Sequence, residues 1–309
     1  PTTALVNEVM QAIRYSNGSD DPVASVQLDW TFSDGNAGTQ GTGGTATDTG
    51  STTVSVTNVN DAPTLTGTGG NPTYVEGAAT ADLYNTITAN TVEDTNTIDR
   101  FASVTLTVTN VSDGAFEILT MDGSDVALTN GSSVNTATSG LTVNVSVTGS
   151  TATVSFSGAS LTEAQMQTLV DGMGYRNTSD NPTTGASRVV TITGISDDGG
   201  GSDSSAPNLS STVSLTGVND APVIGNLDGD NVALQPGGSA GIDSGGDATV
   251  TNVDSADYNG GSLVITDNGA NNSANGNFVV DGTNVTSGGD ATIAAGETIA
   301  VGGVAIGTV

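Results

Sequence analysis

Oxygen ligands are the main chemistry that this composition offers. The chain has no Cys and no His, and its four basic residues are all Arg, so imidazole bases, thiolates and lysine amines are absent. Its 33 Asp and Glu residues, with many Asn, Ser and Thr residues, supply carboxylate, amide and hydroxyl oxygens. Ca²⁺ takes about six to eight such ligands. The composition therefore predicts a protein that is not an enzyme and that is suited to binding cations.

One short motif that could carry such ligands occurs twice. Residues 58–63 read NVNDAP and residues 217–222 read GVNDAP, each after a run of alternating apolar residues. Proline cannot donate a backbone hydrogen bond to a sheet, so both copies predict the end of a strand. Asn-Asp before Pro also makes a good turn, since Asx side chains bond the nearby backbone. A metal ligand and a plain turn are both open here.

The net charge of −29 restricts the partners. Such a surface repels nucleic acid and anionic membranes. No apolar run reaches the roughly 18 residues that a membrane span needs, so we expect neither nucleic acid binding nor membrane insertion. Cations bound between domains would relieve the repulsion of the chain for itself.

Strands must position the motif. Val104, Leu106 and Val108 alternate with threonines, and the period of two recurs in other segments, such as SVQLDWTF, LTVNVSV, ATVSFSG and STVSLT. Gly, Asn, Asp and Ser clusters bound these segments, a pattern typical of half-buried antiparallel strands. The predicted fold class is all-β, with tandem β-sandwiches that each contain one short helix.

Internal repetition gives the organisation of the chain. Asn60 recurs as Asn219 (219 − 60 = 159), and Tyr15 recurs as Tyr175. Both tyrosines follow a predicted amphipathic helix, and the apolar stripes are Val6, Val9, Met10 and Ile13 in the first helix and Met166, Leu169, Val170 and Met173 in the second. Ser160 and Glu163 predict a capping box at the start of the second helix.

The repeat register divides the chain into three parts. Residues 1–59, the head, carry the second half of a repeat; residues 60–218, the central repeat, are complete; residues 219–309, the tail, carry a first half. Head and tail are therefore expected to be complementary halves of one domain, short of the strand that precedes the helix. Either the chain is a piece of a repeat array cut out of register, or the tail of one copy completes the head of the next.

The VNDAP motifs, the segments 15–22 and 175–182 and the stretch 253–266 resemble the cadherin-like and Ig-like tandem repeats of large bacterial surface adhesins. The resemblance implies a rod of β-sandwiches, secreted or on the cell surface, with Ca²⁺ at the junctions. It favours a structural role for the chain. A carbohydrate- or surface-binding module, with surface glycans as the partner, is the alternative.

The resemblance also implies a set of calcium ligands. The positions that match the cadherin linker are Asn58, Asn60, Asp61, Asn219 and Asp220. Further donors are expected from Glu76, Glu93, Asp94, Asp254, Asp257 and Asn259. Ala62, Ala221 and Gly217 replace ligands of the family motif, which implies fewer or weaker ions at each junction.

Other polar and aromatic residues have simpler interpretations. Asp34 and Asn36, like Asp197 and Asp198, favour hairpin turns, with a metal site as the alternative. Trp30 could stack on a sugar, but its place in an alternating series predicts a core position.

Overall fold

The computed structural model describes residues 2–19, 22–36, 41–91, 99–201, 203–255, 257, 258 and 263, and the backbone of four short strands between residues 278 and 308. Its contacts divide the chain into two units, Pro1–Gly217 and Val218–Val309. Strands dominate both units, so the predicted all-β class is right. No helix in the described part of the chain is long and apolar enough to cross a membrane.

The helices and strands follow in chain order. The first unit contains α1 (Thr3–Ala12), β1 (Ser25–Ser33), β2 (Thr47–Ser55), β3 (Thr64–Gly69), β4 (Thr73–Val75), β5 (Ala81–Asp82), β6 (Tyr84–Asn90), β7 (Phe101–Val108), β8 (Glu117–Met121), β9 (Ser124–Ala127), β10 (Ser133–Asn135), β11 (Thr142–Thr148), β12 (Thr151–Phe156), α2 (Glu163–Asp171), β13 (Gly174–Asn177), β14 (Arg188–Asp197), β15 (Ser204–Ser205) and β16 (Leu209–Thr216). The second unit contains β17 (Val223–Gly225), β18 (Thr249–Thr251), β19 (Phe278–Val280), β20 (Thr283–Val285), β21 (Thr298–Val301) and β22 (Val304–Thr308).

Two larger sheets form the central repeat. One has the order β10-β11-β12-β7-β14-β16-β4, with β15 paired to β14, and the other has the order β5-β13-β8-β9. All of their described pairings are antiparallel except that of β16 with β4. In β7 the apolar residues Val104, Leu106 and Val108 are buried and the threonines between them are half-buried. The period of two in the sequence thus sets which face enters the core.

Helix α2 adds its apolar face to this core, where Met166, Leu169 and Val170 are buried. The capping box is formed by Thr162 and Gln165, whose side chains each accept a hydrogen bond from the backbone of the other. The predicted box at Ser160 is wrong, because the helix begins at Glu163 and this makes Thr162 the N-cap. Glu163 instead accepts a hydrogen bond from the backbone of Thr91 at 3.2 Å.

The head repeats the secondary structure of the central repeat but buries none of its described side chains. Val26 lies opposite Val54 in the hairpin of β1 and β2, and Arg188 lies opposite Val213, which follows Val54 by 213 − 54 = 159 residues. The next pairs on this face keep the same shift, with Leu28–Thr52 matching Val190–Ser211 and Trp30–Gly50 matching Ile192–Leu209. Strand β1 is therefore the counterpart of β14.

Trp30 departs from its predicted core position. Its side chain is 39% exposed, whereas Ile192, its counterpart in the central repeat, is fully buried. The difference arises because Ile192 pairs with Leu106 of β7 on one side and with Leu209 of β16 on the other, whereas Trp30 pairs only with Gly50 of β2 in the described part of the chain.

The second unit repeats hairpins from the first half of the central repeat. Val280 pairs with Thr283 as Met121 pairs with Ser124, again 159 residues apart, and the sequence has Asp-Gly between the strands in both places. In the first hairpin Asp122 and Gly123 have the positive φ values of 48° and 74° that a tight two-residue turn requires. The division of the chain at 59/60 and 218/219 into halves of a repeat remains a prediction.

Candidate cation site at the first VNDAP motif

Asn60 and Asp197 meet where the first VNDAP motif passes the end of β14. Asn60 Nδ2 donates to Asp197 Oδ1 at 3.5 Å and to the carbonyl oxygen of Asp61 at 3.2 Å. The backbone N–H of Gly199 donates to the same Asp197 Oδ1 at 3.2 Å. The turn that follows β14 thus holds one oxygen of Asp197 in place.

The other oxygen of this carboxylate is buried and unbonded. Asp197 is 3% exposed, and its Oδ2 has no hydrogen-bond partner among the described residues. A buried carboxylate oxygen without a donor or a cation is costly, since the charge has lost its hydration.

Gly199 leaves the space into which these oxygens converge. A Cβ added at Gly199 would overlap Asn60 Oδ1 and would lie 2.7 Å from Asp99 Oδ2. Any larger residue would displace side chains that belong to two other segments of the chain. The sequence reason for a glycine here is therefore the close approach of Asn60 and Asp99, and its φ is not in the positive range.

The electrostatics of this place are unfavourable to the bare carboxylate. Burial raises the pKa of Asp197 above its ordinary value, and the negative charges of Asp99 and Asp203 raise it further, against the hydrogen bonds from Gly199 and Asn60. A bound cation would reverse this balance, because it favours the ionised form.

The arrangement fits a hard cation such as Ca²⁺. The side chains gathered here offer only carboxylate and amide oxygens, and one of these oxygens is buried without a donor. Asn60, Asp99 and Asp197 are the residues that would hold the ion, and Asp61 and Asp198 lie next to them in the chain. Within the described ranges no three acidic side chains form a ready-made metal cluster, so the amide of Asn60 is needed to complete the group.

Neighbouring contacts fix the motif against the central repeat. Ser205 of β15 donates its hydroxyl hydrogen to the carbonyl oxygen of Pro63, and the backbone N–H of Arg100 donates to Asp198 Oδ1 at 2.8 Å. The proline therefore ends the head at a defined point, as its inability to join a ladder predicts.

The second VNDAP motif has the same local geometry. Asn219 Nδ2 donates to the carbonyl oxygen of Asp220 at 3.1 Å, as Asn60 does to that of Asp61. The backbone N–H of Asp220 donates to Asp254 Oδ2 at 2.5 Å, so the structure brings together two of the predicted ligands. Asp257 lies nearby in the chain and takes part in a local turn with Ser255.

Glu76 lies beside the end of β16, away from the contacts of Asn60 with the end of β14. Its backbone N–H donates to the carbonyl oxygen of Thr216 at 2.9 Å, and its Oε2 is 3.7 Å from the position of a Cβ on Gly217. It is therefore not a ligand of the same site as Asn60, although it lies beside the first residue of the second motif.

The remaining predicted ligands are not assembled by the structure. Asn58 Oδ1 accepts from the backbone of Val59 at 3.2 Å, which is a local turn contact. Glu93, Asp94 and Asn259 lie outside the described residues.

Asp99 and Asp197 are the site residues that the sequence did not assign to the first motif. Asp197 was expected to form a hairpin turn, and it does end β14 next to β15, but its carboxylate faces Asn60. The available signal was the recurrence of Ser-Asp after each long strand, at Ser33-Asp34 and Ser196-Asp197. In the head, Asp34 accepts backbone hydrogen bonds from Asn36 at 3.1 Å and Ala46 at 3.0 Å, which is the predicted turn.

Other acidic loops are satisfied by the backbone. Asp243 accepts from four successive N–H groups between Gly245 and Ala248, and these bonds lower its pKa. The carboxylate of Asp122 accepts from Thr136 and Ser139. These are turns in which protein donors already occupy the carboxylate oxygens.

One open groove of the first unit could admit a small polar molecule. Its lining includes Asp122, Ser139, Thr142, Ser157 and Gln165, and none of its lining residues is aromatic. Sugar sites depend on an aromatic face to cover the apolar side of the ring. The groove therefore gives no support to a glycan site.

No family model, curated protein or solved structure matches this chain.

Proposed function

We propose that the chain is a non-catalytic structural repeat of a bacterial extracellular, adhesin-like fibre. Its repeats are Ig-like or cadherin-like β-sandwiches, and the tail of one copy completes the head of the next. Calcium at the VNDAP motifs stiffens the junctions.

The observation that carries this proposal is the exposure of an apolar face that the central repeat buries. The stripe of α1 matches that of α2 residue for residue at a spacing of 160, with Val6, Val9, Met10 and Ile13 corresponding to Met166, Leu169, Val170 and Met173. Val9 is 65% exposed, whereas Leu169 is 4% exposed. A contiguous apolar surface of this kind is typical of an interaction site.

Strand β1 extends the same exposed face. Val26 and Leu28 are half-buried, and Trp30 and Phe32 are 39% and 44% exposed. The β14 counterparts of the first three are fully buried. The head therefore has the residues of a core without the elements that would cover them.

The central repeat identifies those covering elements. Helix α2 is joined to β6 by a hydrogen bond from Gln167 Nε2 to the carbonyl oxygen of Ala89 at 3.3 Å, and β14 pairs with β7. Strand β13 pairs with β5 and β8. All of these covering strands belong to the first half of the repeat.

The tail is a first half of the same repeat. Its hairpin of β19 and β20 repeats that of β8 and β9, and its Ile224–Val250 pair repeats the Leu65–Ala89 pair of β3 and β6. The two pairs differ in burial, since Leu65 and Ala89 are buried while Ile224 and Val250 are about half exposed. A second copy of the chain, through its residues 219–309, is therefore the occupant that fits the head.

Calcium is the second part of the proposal. Asn60, Asp99 and Asp197 would hold the ion at the entrance to the central repeat, and Asp61 is adjacent to them. When bound, the ion neutralises the buried carboxylate and ties the linker to the end of β14. The net charge of −29 supports such a role, since domains placed end to end repel one another without counterions.

Sedimentation velocity over a range of protein concentrations, with and without millimolar Ca²⁺, tests the assembly. We expect the weight-average sedimentation coefficient to rise with concentration, and negative-stain images to show filaments. Val9→Asp places a charge in the exposed stripe and is expected to weaken association by about tenfold or more. Gln11→Glu, in the same helix outside the apolar stripe, is the matched control and is expected to associate as the wild type does.

A wild-type chain that stays monomeric at every concentration would contradict assembly between copies. In that case the head would be completed by a neighbouring repeat within a longer chain. Binding to a glycan array by the monomer would favour the alternative function, a carbohydrate-binding module.

A further inference from the structure

A buried ion pair joins the two halves of the central repeat. Glu117 lies at the start of β8, in the first half, and Arg188 lies at the start of β14, in the second half; both side chains are fully buried. Arg188 Nε donates to Glu117 Oε2 at 3.0 Å, and Nη2 donates to Oε1 at 2.9 Å. The pair is thus bidentate, the geometry in which Arg and carboxylate interact most strongly.

Further hydrogen bonds satisfy the charges. Arg188 Nη1 donates to the carbonyl oxygens of Thr183 and Ala186 at 2.8 and 2.7 Å. Glu117 also accepts from the hydroxyl of Tyr175 at 2.9 Å. Removal of either partner would leave a buried charge without compensation, which is far more costly than the absence of both.

The head lacks the cation of this pair. The strand register places Val26 at the position of Arg188, opposite Val54 where Arg188 is opposite Val213. The head therefore presents an apolar side chain at the point where the central repeat presents its guanidinium.

The tail sequence lacks the anions. The hairpin of β19 and β20 fixes the shift at 159 residues, and at that shift Glu117 corresponds to Gly276 and Asp113 corresponds to Asn272. Asp113 is the second acid of the network, with Oδ2 at 3.2 Å from Arg188 Nη2. Both acids are thus replaced by neutral residues in the tail, in parallel with the replacement of Arg188 in the head.

We propose that this ion pair decides which half-repeats can combine. Glu117 pairs only with a half that carries Arg188, and the neutral tail pairs only with a half that carries Val26. The head added to the first half of the central repeat would leave Glu117 unpaired, and the second half of the central repeat added to a tail would leave Arg188 unpaired. This inference rests on the proposed head-to-tail function, and it explains how copies would associate without exchanging strands with the complete domain.

Single charges in the full-length chain test this pairing rule. Val26→Arg and Gly276→Glu, each alone, are expected to weaken association by about 100-fold or more, because each places one unpaired charge in the junction. Val26→Leu and Gly276→Asn are the neutral controls and are expected to associate within a few-fold of wild type. The unfolding midpoint of each monomer is measured alongside, so that loss of folding is not read as loss of association.

An equimolar mixture of the Val26→Arg and Gly276→Glu variants is the decisive sample. The arginine introduced into the head of one variant can then meet the glutamate introduced into the tail of the other. The remaining head and tail carry the wild-type residues and also match, so every junction can be formed and association is expected to return.

Two results would overturn the pairing rule. One is association of Val26→Arg chains alone at wild-type strength, and the other is a mixture of the two charged variants that stays dissociated. A wild-type chain that never associates would instead overturn the head-to-tail function itself.

Discussion

Tyr175 donates its hydroxyl hydrogen to Glu117 Oε2 at 2.9 Å, and both side chains are fully buried. The same carboxylate oxygen accepts from Arg188 Nε, so one acid ties β8 to both β13 and β14. This single contact point links the two sheets of the central repeat. Its removal should therefore affect the stability of the whole central repeat.

Glu117→Gln is expected to lower the free energy of unfolding by about 3–5 kcal/mol, because it leaves the Arg188 charge buried without its carboxylate partner. Urea titration followed by circular dichroism gives this value. The double variant Glu117→Leu with Arg188→Met is expected to be more stable than Glu117→Gln, since it removes both charges. A double variant that is less stable than the single one would contradict the interpretation of the network.

Asp197→Asn is expected to stabilise the calcium-free protein at neutral pH, because it removes a buried charge that lacks a donor on Oδ2 within the described structure. The same change should abolish most of the rise in thermal midpoint that Ca²⁺ produces in the wild type. Differential scanning calorimetry in EDTA and in millimolar Ca²⁺ measures both effects. Asp34→Asn, in the corresponding turn of the head, is the control, and its response to Ca²⁺ should match that of wild type.

Asp113 and Asp197 are expected to give pH dependences of opposite sign. Burial alone would raise the pKa of Asp113, but hydrogen bonds from Thr183 and Asn177 and the charge of Arg188 outweigh it and hold the pKa below its ordinary value. Its contribution to stability is therefore complete above the unfolded value of about 4 and is lost as the pH falls through the folded value. The pKa of Asp197 is raised, so its ionisation destabilises the fold above its folded pKa, and that cost is relieved as the pH falls toward about 4.

Urea unfolding of the wild type, Asp113→Asn and Asp197→Asn between about pH 7 and pH 2.5 tests these signs. The stability deficit of Asp113→Asn should shrink below about pH 4. The stability advantage of Asp197→Asn should shrink before the pH has fallen that far, because the raised pKa lets Asp197 take up its proton at a higher pH. Two difference curves with the same slope would contradict the assignment of these two carboxylates.

Hydrogen exchange should distinguish the head from the central repeat. A ten-residue helix without a buried face is marginal in water, so amides of α1 are expected to exchange rapidly in the monomer. Amides of β7 and β14 should be protected in every sample, because these strands lie in the core. Protection of α1 and β1 should rise with protein concentration, in step with sedimentation; a rise in β7 and β14 instead would place the assembly interface elsewhere.

The sequence by itself determined the all-β class, the two helices and their apolar stripes. These follow from local periodicity, since period two and period 3.6 place side chains on one face whatever lies opposite. The spacing of 159 residues was also evident, and the strand register of β1 with β2 and of β14 with β16 repeats it. The turn at Asp34 and the end of a strand before Pro63 follow from the same local rules.

Only the tertiary structure decided which polar residues meet. Asn60 and Asp197 are 137 residues apart, and Glu117 and Arg188 are 71 residues apart. Their contacts depend on which strands lie side by side, and local sequence patterns do not contain that information. Burial of Trp30 depends in the same way on a partner face, because a pattern of alternating apolar residues specifies which side needs covering and leaves open what covers it.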